Sequence, residues 1–447
     1  MTLRSVKLYG NPLSSYRRFR RDPLAFLQST DEIGDLVQIP SVTGQPTFVV
    51  NHPHLVRAIL VTDETKVRKG QSSEVLGYTL GTGLLTSEGQ QHEEQKTTLM
   101  PAFHATAMKR ASDRMVQLTD ERRQTWPLGQ PFNVSDEMLD LTLHIVYEAL
   151  FGQPLKGAGP DIHRVVSESV RFSSRRLLSA LSLPYRWPVP SHQRHKQAVT
   201  QLDDIIRALI DDARQGLRLR TRDHPTNLLD LLLTSRHPSG EPWSHQELRD
   251  QIATLIIAGH ETTSNLMSWI IYLLAKHPDV QSLVRQEVIE AIGDGNPAYD
   301  DIHRLPLVQM VIREAMRLYP PAWSMLRETT EPISVEDARI PAGAAIIISP
   351  YVIQRSPRWF DRPNEFDPSR FRPEALRSRM PFSYFPFGAG NRVCIGNQFA
   401  QMEASLILAL MVQRGSWQIN PDYFAVPEPS VSLRVRGGLT IYVNSNY

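Results

Sequence analysis

Cysteine is almost missing from this chain of 447 residues: there is one, Cys394. That excludes an intrachain disulfide and any zinc or iron–sulfur site needing several thiolates. Net charge is nearly missing too. Lys and Arg total 49 against 47 Asp and Glu, a formal charge of +2. No overall basic field is available for nucleic acid, and no nucleic-acid partner is expected. Long apolar runs are also lacking. The strongest, Leu406 to Val412, falls far short of the roughly 18 residues of a membrane span. Met1 to Asn11 has no apolar signal-peptide core, so a cytoplasmic location is expected. Arg17, Arg18, Arg20 and Arg21 surround Phe19 and read as a solvated basic face. Proline is plentiful, with 33 residues, which rules out one long coiled coil. A hydrophobic share of 41% with 21% charged residues is that of a folded globular chain.

The pattern reads as one mainly helical domain over residues 1–447 with a minor sheet. The β-rich parts fall near 30–70, 330–350 and 428–445. Val37-Gln38-Ile39, Thr47 to Val50, Ile333 to Val335 and Ala345 to Ile348 read as strands. Residues 105–235 are mostly helical. A Pro-, Ser- and Arg-rich break from Ser182 to Ser191 is a candidate lid loop. The clearest helix starts at a capping box, Ser244 with Glu247, and runs to Lys276 before Pro278. Its length is roughly 50 Å at 1.5 Å per residue, and apolar side chains cover nearly every face, so it belongs in an interior. Further helices fall near 280–292, 306–318 and 397–413. The C-terminus reads as a hairpin of Ser430–Val435 and Leu439–Val443, turned at Gly437-Gly438.

The lone cysteine has unusual neighbours. Gly388, Gly390, Gly396 and Arg392 lie within six residues of Cys394, just before a helix. Glycines let backbone amides and a flat ligand approach, and a helix N-terminus and an arginine favour thiolate over thiol. With no second cysteine, a metal held here needs other ligands, and a porphyrin brings four nitrogens of its own.

The segment Phe387-Gly388-Ala389-Gly390-Asn391-Arg392-Val393-Cys394-Ile395-Gly396 resembles the haem-binding signature of the cytochrome P450 superfamily at every fixed position. Glu314-Ala315-Met316-Arg317 is similar to the family's Glu-x-x-Arg pair. Arg370, in Phe366 to Phe371, matches its third member. Ala258-Gly259-His260-Glu261-Thr262-Thr263 is similar to the family's oxygen-side helix motif. His92 and Lys96 resemble a propionate-binding pair in which Lys replaces the usual Arg, a point charge in place of a fork. Arg327 matches the position holding the other propionate. Gln354-Arg355 stands where many relatives have His-Arg.

The resemblance implies a triangular helical prism with haem b between the long helix and the helix after the cysteine loop. Cys394 would be the axial ligand, and Phe387, Gly388, Arg392, Gly396, Ala258 and Gly259 would line the cofactor. Glu261 and Thr262 would organise water for proton delivery. The implied reaction inserts one oxygen atom of O₂ into a C–H bond of a hydrophobic molecule, a terpenoid or fatty-acyl compound. Pocket candidates by family position are Leu76, Leu85, Phe172, Ala258, Ala322, Trp323, Met325, Val431 and Leu433. Electrons would come from a separate ferredoxin and its reductase. Lys96, Lys109, Arg110 and Arg114 are candidates to meet that donor, with the protein acting as a monomer. Two other readings are a non-haem iron oxygenase, from the pairs His92/Glu94, His245/Glu247 and His277/Asp279, and a non-catalytic haem-binding sensor. Glu261-Thr262 argues against the sensor, which needs no proton relay.

Overall fold

The structure is a computed structural model that describes residues 3–8, 10–155, 159–179, 182–219 and 227–445. Its centre is the helix His245–Lys276, of 32 residues. Ser244 caps it: Ser244 Oγ accepts from the Glu247 amide at 3.2 Å, and Glu247 Oε2 accepts from the Ser244 amide at 2.8 Å. Every residue from Leu248 to Ile257 is buried, and so is every residue from Thr263 to Leu274. The helix stops at His277, whose φ of −128° and ψ of 73° are those of a residue held before proline. Helices Val134–Ile145, Pro306–Leu318 and Asn397–Arg414 pack against it.

Asn397–Arg414 is the helix that the cysteine loop leads into. Met402 to Gln413 are all buried, and Leu406, Ile407, Leu408, Leu410 and Met411 are each at most 2% exposed. Burying each such side chain contributes about 1.5–3 kcal/mol, so the loop hangs on a firmly seated element.

The main sheet has six strands, in the order Ser5–Lys7, Leu36–Ile39, Thr47–Val50, Ala345–Ile348, Met325–Thr329 and Val67–Arg68. Thr47–Val50 pairs in parallel with Ala345–Ile348, which brings the N-terminal third of the chain against residues 325–348. Among the described residues no helix is long and apolar enough to cross a membrane.

The C-terminal hairpin expected from sequence does not form. Leu433–Val435 pairs instead with Pro427–Pro429, around a tip at Ser430–Ser432. Thr440–Ser445 goes to a separate sheet, between Gly415–Gln418 and Pro131–Asn133. Gly437 and Gly438 both take positive φ, 76° and 80°, and swing the chain away rather than folding it back.

Candidate active site

The cysteine loop is short and tightly bonded. The Cys394 amide donates to the Phe387 carbonyl at 3.0 Å, and the Val393 amide to the Gly390 carbonyl at 3.1 Å. Gly390 has φ +69°, and a Cβ there would lie 1.9 Å from the Leu60 carbonyl oxygen. Only glycine fits that approach of two backbones. Phe387 packs on the main core, and Gly388 lies under the Met325 thioether. Burial pushes the Cys394 thiol up, while the Gly396 amide and the Lys69 ammonium pull it down.

Cys394 is deep among protein atoms, yet its surface is accessible. Both hold only if it stands on the wall of an internal cleft. Ala258 has the same character from the long helix: it is exposed, while Ile256 and His260 on either side are 0% exposed. Gly259 and Thr262 are half-buried on that stretch. Thr262 Oγ1 donates to the Ala258 carbonyl at 2.7 Å. Glu261 turns elsewhere. It is buried, Oε1 accepts from Ser432 Oγ at 2.8 Å, and burial raises its carboxyl above the ordinary range. Its neighbour Thr262 is therefore not its hydrogen-bond partner.

A cluster of cations gathers in the same neighbourhood. Lys69 feels the charges of Arg392, Arg327 and Cys394. Burial, with those arginines, pushes the Lys69 ammonium down to about 7. Arg327 is pushed down to about 10 by burial and then by Arg392. Burial and the charges of Arg392, Lys69 and Lys96 push His92 down to about 4. Glu88 is the acid that offsets them: it takes an ion pair from Arg392 Nη2 and accepts from the Lys69 amide at 2.8 Å. Arg392 Nη1 is buried and has no hydrogen-bond partner. Lys69 Nζ donates to the Leu85 carbonyl. The Leu85 segment is in turn bonded to the long helix, Thr82 to Asp250 at 2.8 Å and Leu84 to Gln251 at 3.0 Å. Buried like charges of this kind are costly unless an anion joins them.

Lys69 was not singled out from sequence. It stands in Val67-Arg68-Lys69-Gly70, which matches no motif, and its placement depends on strand Val67–Arg68 pairing with Met325–Thr329. Lys96 donates to the Asn391 carbonyl at 2.8 Å, bracing the cysteine loop.

Behind the loop, Glu314 and Arg317 are both 0% exposed. Arg317 uses all five of its N–H donors: Nε and Nη2 grip the two Glu314 oxygens at 2.7 Å, and the rest reach the Gln354, Pro363 and Glu365 carbonyls at 2.9, 2.7 and 3.0 Å. Arg370 Nε stands 3.5 Å from Glu314 without a hydrogen bond, and its Nη2 donates to the Arg362 carbonyl. Gln354 is fully buried. It bonds the Met316 and Arg317 carbonyls and receives the Phe385 amide at 3.0 Å, linking the end of one helix to the approach of the cysteine loop. The residue that replaces the usual His thus holds backbone together.

The pocket candidates divide. Ala258 is exposed, while Leu76, Leu85, Ala322, Met325 and Val431 are half-buried. Phe172, Trp323 and Leu433 are buried, at 6%, 6% and 0% exposure. Phe172 stacks on His195 at 3.8 Å, and Trp323 and Leu433 cluster with Leu24, Phe26 and Leu27. Two of the candidate donor-facing cations have acidic partners of their own. Lys109 pairs with Asp300, and Arg114 pairs with Glu148 at 2.6 Å. Among the described residues no three His, Cys, Asp or Glu side chains converge on a metal site. In two of the alternative iron-binding pairs one member is otherwise engaged: Glu247 caps its helix, and His277 Nδ1 meets the Leu273 carbonyl at 2.8 Å.

One thiol on a cleft wall, with four cationic or basic side chains beside it and a single acid, Glu88, to offset them, suits a flat cofactor that carries carboxylates and binds through sulfur: a haem-thiolate centre. The Cytochrome P450 family model matches residues 13–433. A cyclooctatin synthase of Streptomyces melanosporofaciens is 34% identical over 426 residues, 95% of this chain and 92% of that protein. The cyclooctat-9-en-7-ol 5-monooxygenase of the same organism is 30% identical, over 93% of this chain and 88% of its own length. The crystal structure of a cytochrome P450DA heme domain superposes with a TM-score of 0.88 at 24% identity, covering 100% of this chain and 98% of that one. The chain belongs to the cytochrome P450 family. It is a monooxygenase with a haem-thiolate cofactor.

Proposed function

We propose that this enzyme oxidises a C–H bond of a hydrophobic carbocyclic compound of terpenoid type, with electrons from a separate ferredoxin and its reductase. The observation that carries the haem site is the pairing of a deep accessible thiol with a buried arginine nitrogen that has no partner. Lys69, His92, Arg327 and Arg392 would hold the propionates, and Cys394 the iron. When bound, haem supplies activation of O₂ and transfer of one oxygen atom. The chain does the rest. Ala258 leaves room in the cleft because it carries almost no side chain, and Gly259 admits the Val146 side chain, which would lie 3.1 Å from a Cβ there. Thr262 offers its hydroxyl oxygen to the cleft while its proton rests on the Ala258 carbonyl. Glu261, whose carboxyl burial holds above its ordinary range, is the proton donor, one residue away.

The substrate reading is supported by the substrate that one relative is named for, cyclooctat-9-en-7-ol, and by the apolar character of Leu76, Leu85, Ala322, Met325 and Val431. A single domain acting as a monomer in the cytoplasm completes the proposal. The test is a spin-state titration of the haem-loaded protein across cyclic terpenes, terpene alcohols and fatty acids, followed by product analysis with ferredoxin and reductase. A terpene that shifts the spin state and yields a hydroxylated product supports the reading. Shifts and products confined to fatty acids overturn it.

A further inference from the structure

The tip of the hairpin Pro427–Pro429 and Leu433–Val435 is wedged between two helices. On one side it meets helix Gly159–Leu177, which runs into the candidate lid segment. Ser174 Oγ and Ser430 Oγ are 2.7 Å apart, and the Val431 amide donates to Ser174 Oγ at 3.0 Å. On the other side it meets the long helix. Asn265 Nδ2 donates to Ser432 Oγ at 2.8 Å, and Ser432 Oγ donates to Glu261 Oε1 at 2.8 Å. Ser432, Glu261 and Asn265 are all buried, at 2%, 7% and 8% exposure.

The Asn265 amide nitrogen can only donate, so Ser432 Oγ accepts there and keeps one lone pair and its proton for Glu261. It can donate to Oε1 when Glu261 is ionised and accept from it when Glu261 is protonated, so Ser432 holds the rotamer of the carboxyl in both states. Ser430 N also donates to the Ser432 carbonyl at 3.1 Å, which makes the tip one small rigid turn. A shift of Ser174 would be felt at Glu261 through three consecutive residues.

We propose that Ser432 is a positioning residue for Glu261, and that the Ser430–Ser432 turn couples the end of helix Gly159–Leu177 to the orientation of that carboxyl. The inference rests on reading Glu261 as the proton donor of the site. Its consequence is that the orientation of the donor depends on where the end of helix Gly159–Leu177 stands.

The test compares Ser432→Ala, Ser432→Thr, Ser174→Ala and Glu261→Gln in the haem-loaded protein with ferredoxin and reductase. Product and hydrogen peroxide per NAD(P)H are measured, together with amide hydrogen exchange over residues 165–177 and 428–435. Ser432→Ala should lower product per NAD(P)H about fivefold, the ratio one net hydrogen bond maintains, with haem content unchanged. Ser432→Thr, which keeps the hydroxyl, should restore it. Added to Glu261→Gln, Ser432→Ala should cost nothing further. Ser174→Ala should speed exchange on both the helix end and the hairpin tip, and lower coupling in the same direction. If Glu261→Gln is impaired but Ser432→Ala couples as wild type, the positioning role is refuted and the proton donor stands. Wild-type coupling in Glu261→Gln refutes the donor itself. Faster exchange in Ser174→Ala confined to the helix refutes the coupling through the turn.

Discussion

Glu403 is the least comfortable side chain in the molecule, and replacing it should stabilise the fold. It lies on the helix after the cysteine loop, is 0% exposed, and neither carboxyl oxygen accepts a hydrogen bond. The Thr263 hydroxyl beside it pulls the carboxyl pKa down, against burial, but is turned to the Gly259 carbonyl at 3.2 Å. Burial pushes the carboxyl from its ordinary 4.5 up to about 8. Because the folded value is the higher, the folded protein retains a proton that the unfolded chain has released across that window. Stability from this group is complete below pH 4.5 and is lost as pH rises toward 8. At pH 7 the unfolded carboxyl has gained about 2.5 pH units of ionisation free energy, roughly 3 kcal/mol at 1.36 kcal/mol per unit. Glu403→Gln keeps the shape and removes the titration. With an unfolding entropy of about 2.1 cal/mol/K per residue, that gain raises the melting temperature of a chain this long by about 3 °C. The assay is thermal unfolding of both haem-loaded proteins at pH 4.5, 6, 7 and 8. The advantage of the glutamine variant should be near zero at the first and grow steadily. An advantage that is flat with pH, or a loss at pH 7, refutes the reasoning.

Three further outcomes are expected. Cys394→Ser replaces a soft, electron-rich donor with a hard, weakly acidic one, so the reduced carbon monoxide spectrum should lose its thiolate signature and turnover should cease while far-UV circular dichroism holds; normal turnover would contradict the ligand assignment. Arg317→Ala strips the buried Glu314 carboxylate of its bidentate partner, leaving it only the Asp367 amide and the more distant Arg370, and frees three backbone carbonyls, at a cost of about 3–5 kcal/mol, and haem content after expression should fall sharply; full loading with an unchanged melting temperature would make the pair dispensable. Thr262→Ala removes a cleft hydroxyl at little cost to folding, so NAD(P)H consumption should persist while product gives way to hydrogen peroxide, the assisted proton step slowing by about 10²–10⁴. Unchanged product per NAD(P)H would return Thr262 to the ordinary role its bond to Ala258 suggests.

Local signals carried most of what could be read in advance. The capping box at Ser244 and Glu247, the prolines at 278 and 306, and the glycine spacing around Cys394 each act within a few residues, and the structure has them where the sequence put them. Residues that depend on distant partners were harder. Lys69 enters the cationic cluster because its strand pairs with residues 328 and 329, and nothing near position 69 announces that. How deeply Phe172, Trp323 and Leu433 are buried was not legible either, because which face of an element looks inward depends on packing from elsewhere. The last hairpin failed for a similar reason: a Gly-Gly turn permits reversal without choosing the strand that receives it. Glu403 reads as one more polar residue in an apolar helix until its surroundings are known.

The grip of Arg317 on the segment from Gln354 to Glu365 has an evolutionary consequence. Three of its five bonds go to main-chain carbonyls, which every amino acid provides alike. Selection on this stretch therefore acts on path length more than on spelling. Surface substitutions between Ser356 and Asn364 should be widely tolerated. Adding or deleting one residue there should not be, because it shifts Pro363 and Glu365 out of reach of a guanidinium that cannot follow. Relatives should accordingly diverge in the letters of this segment while conserving its count.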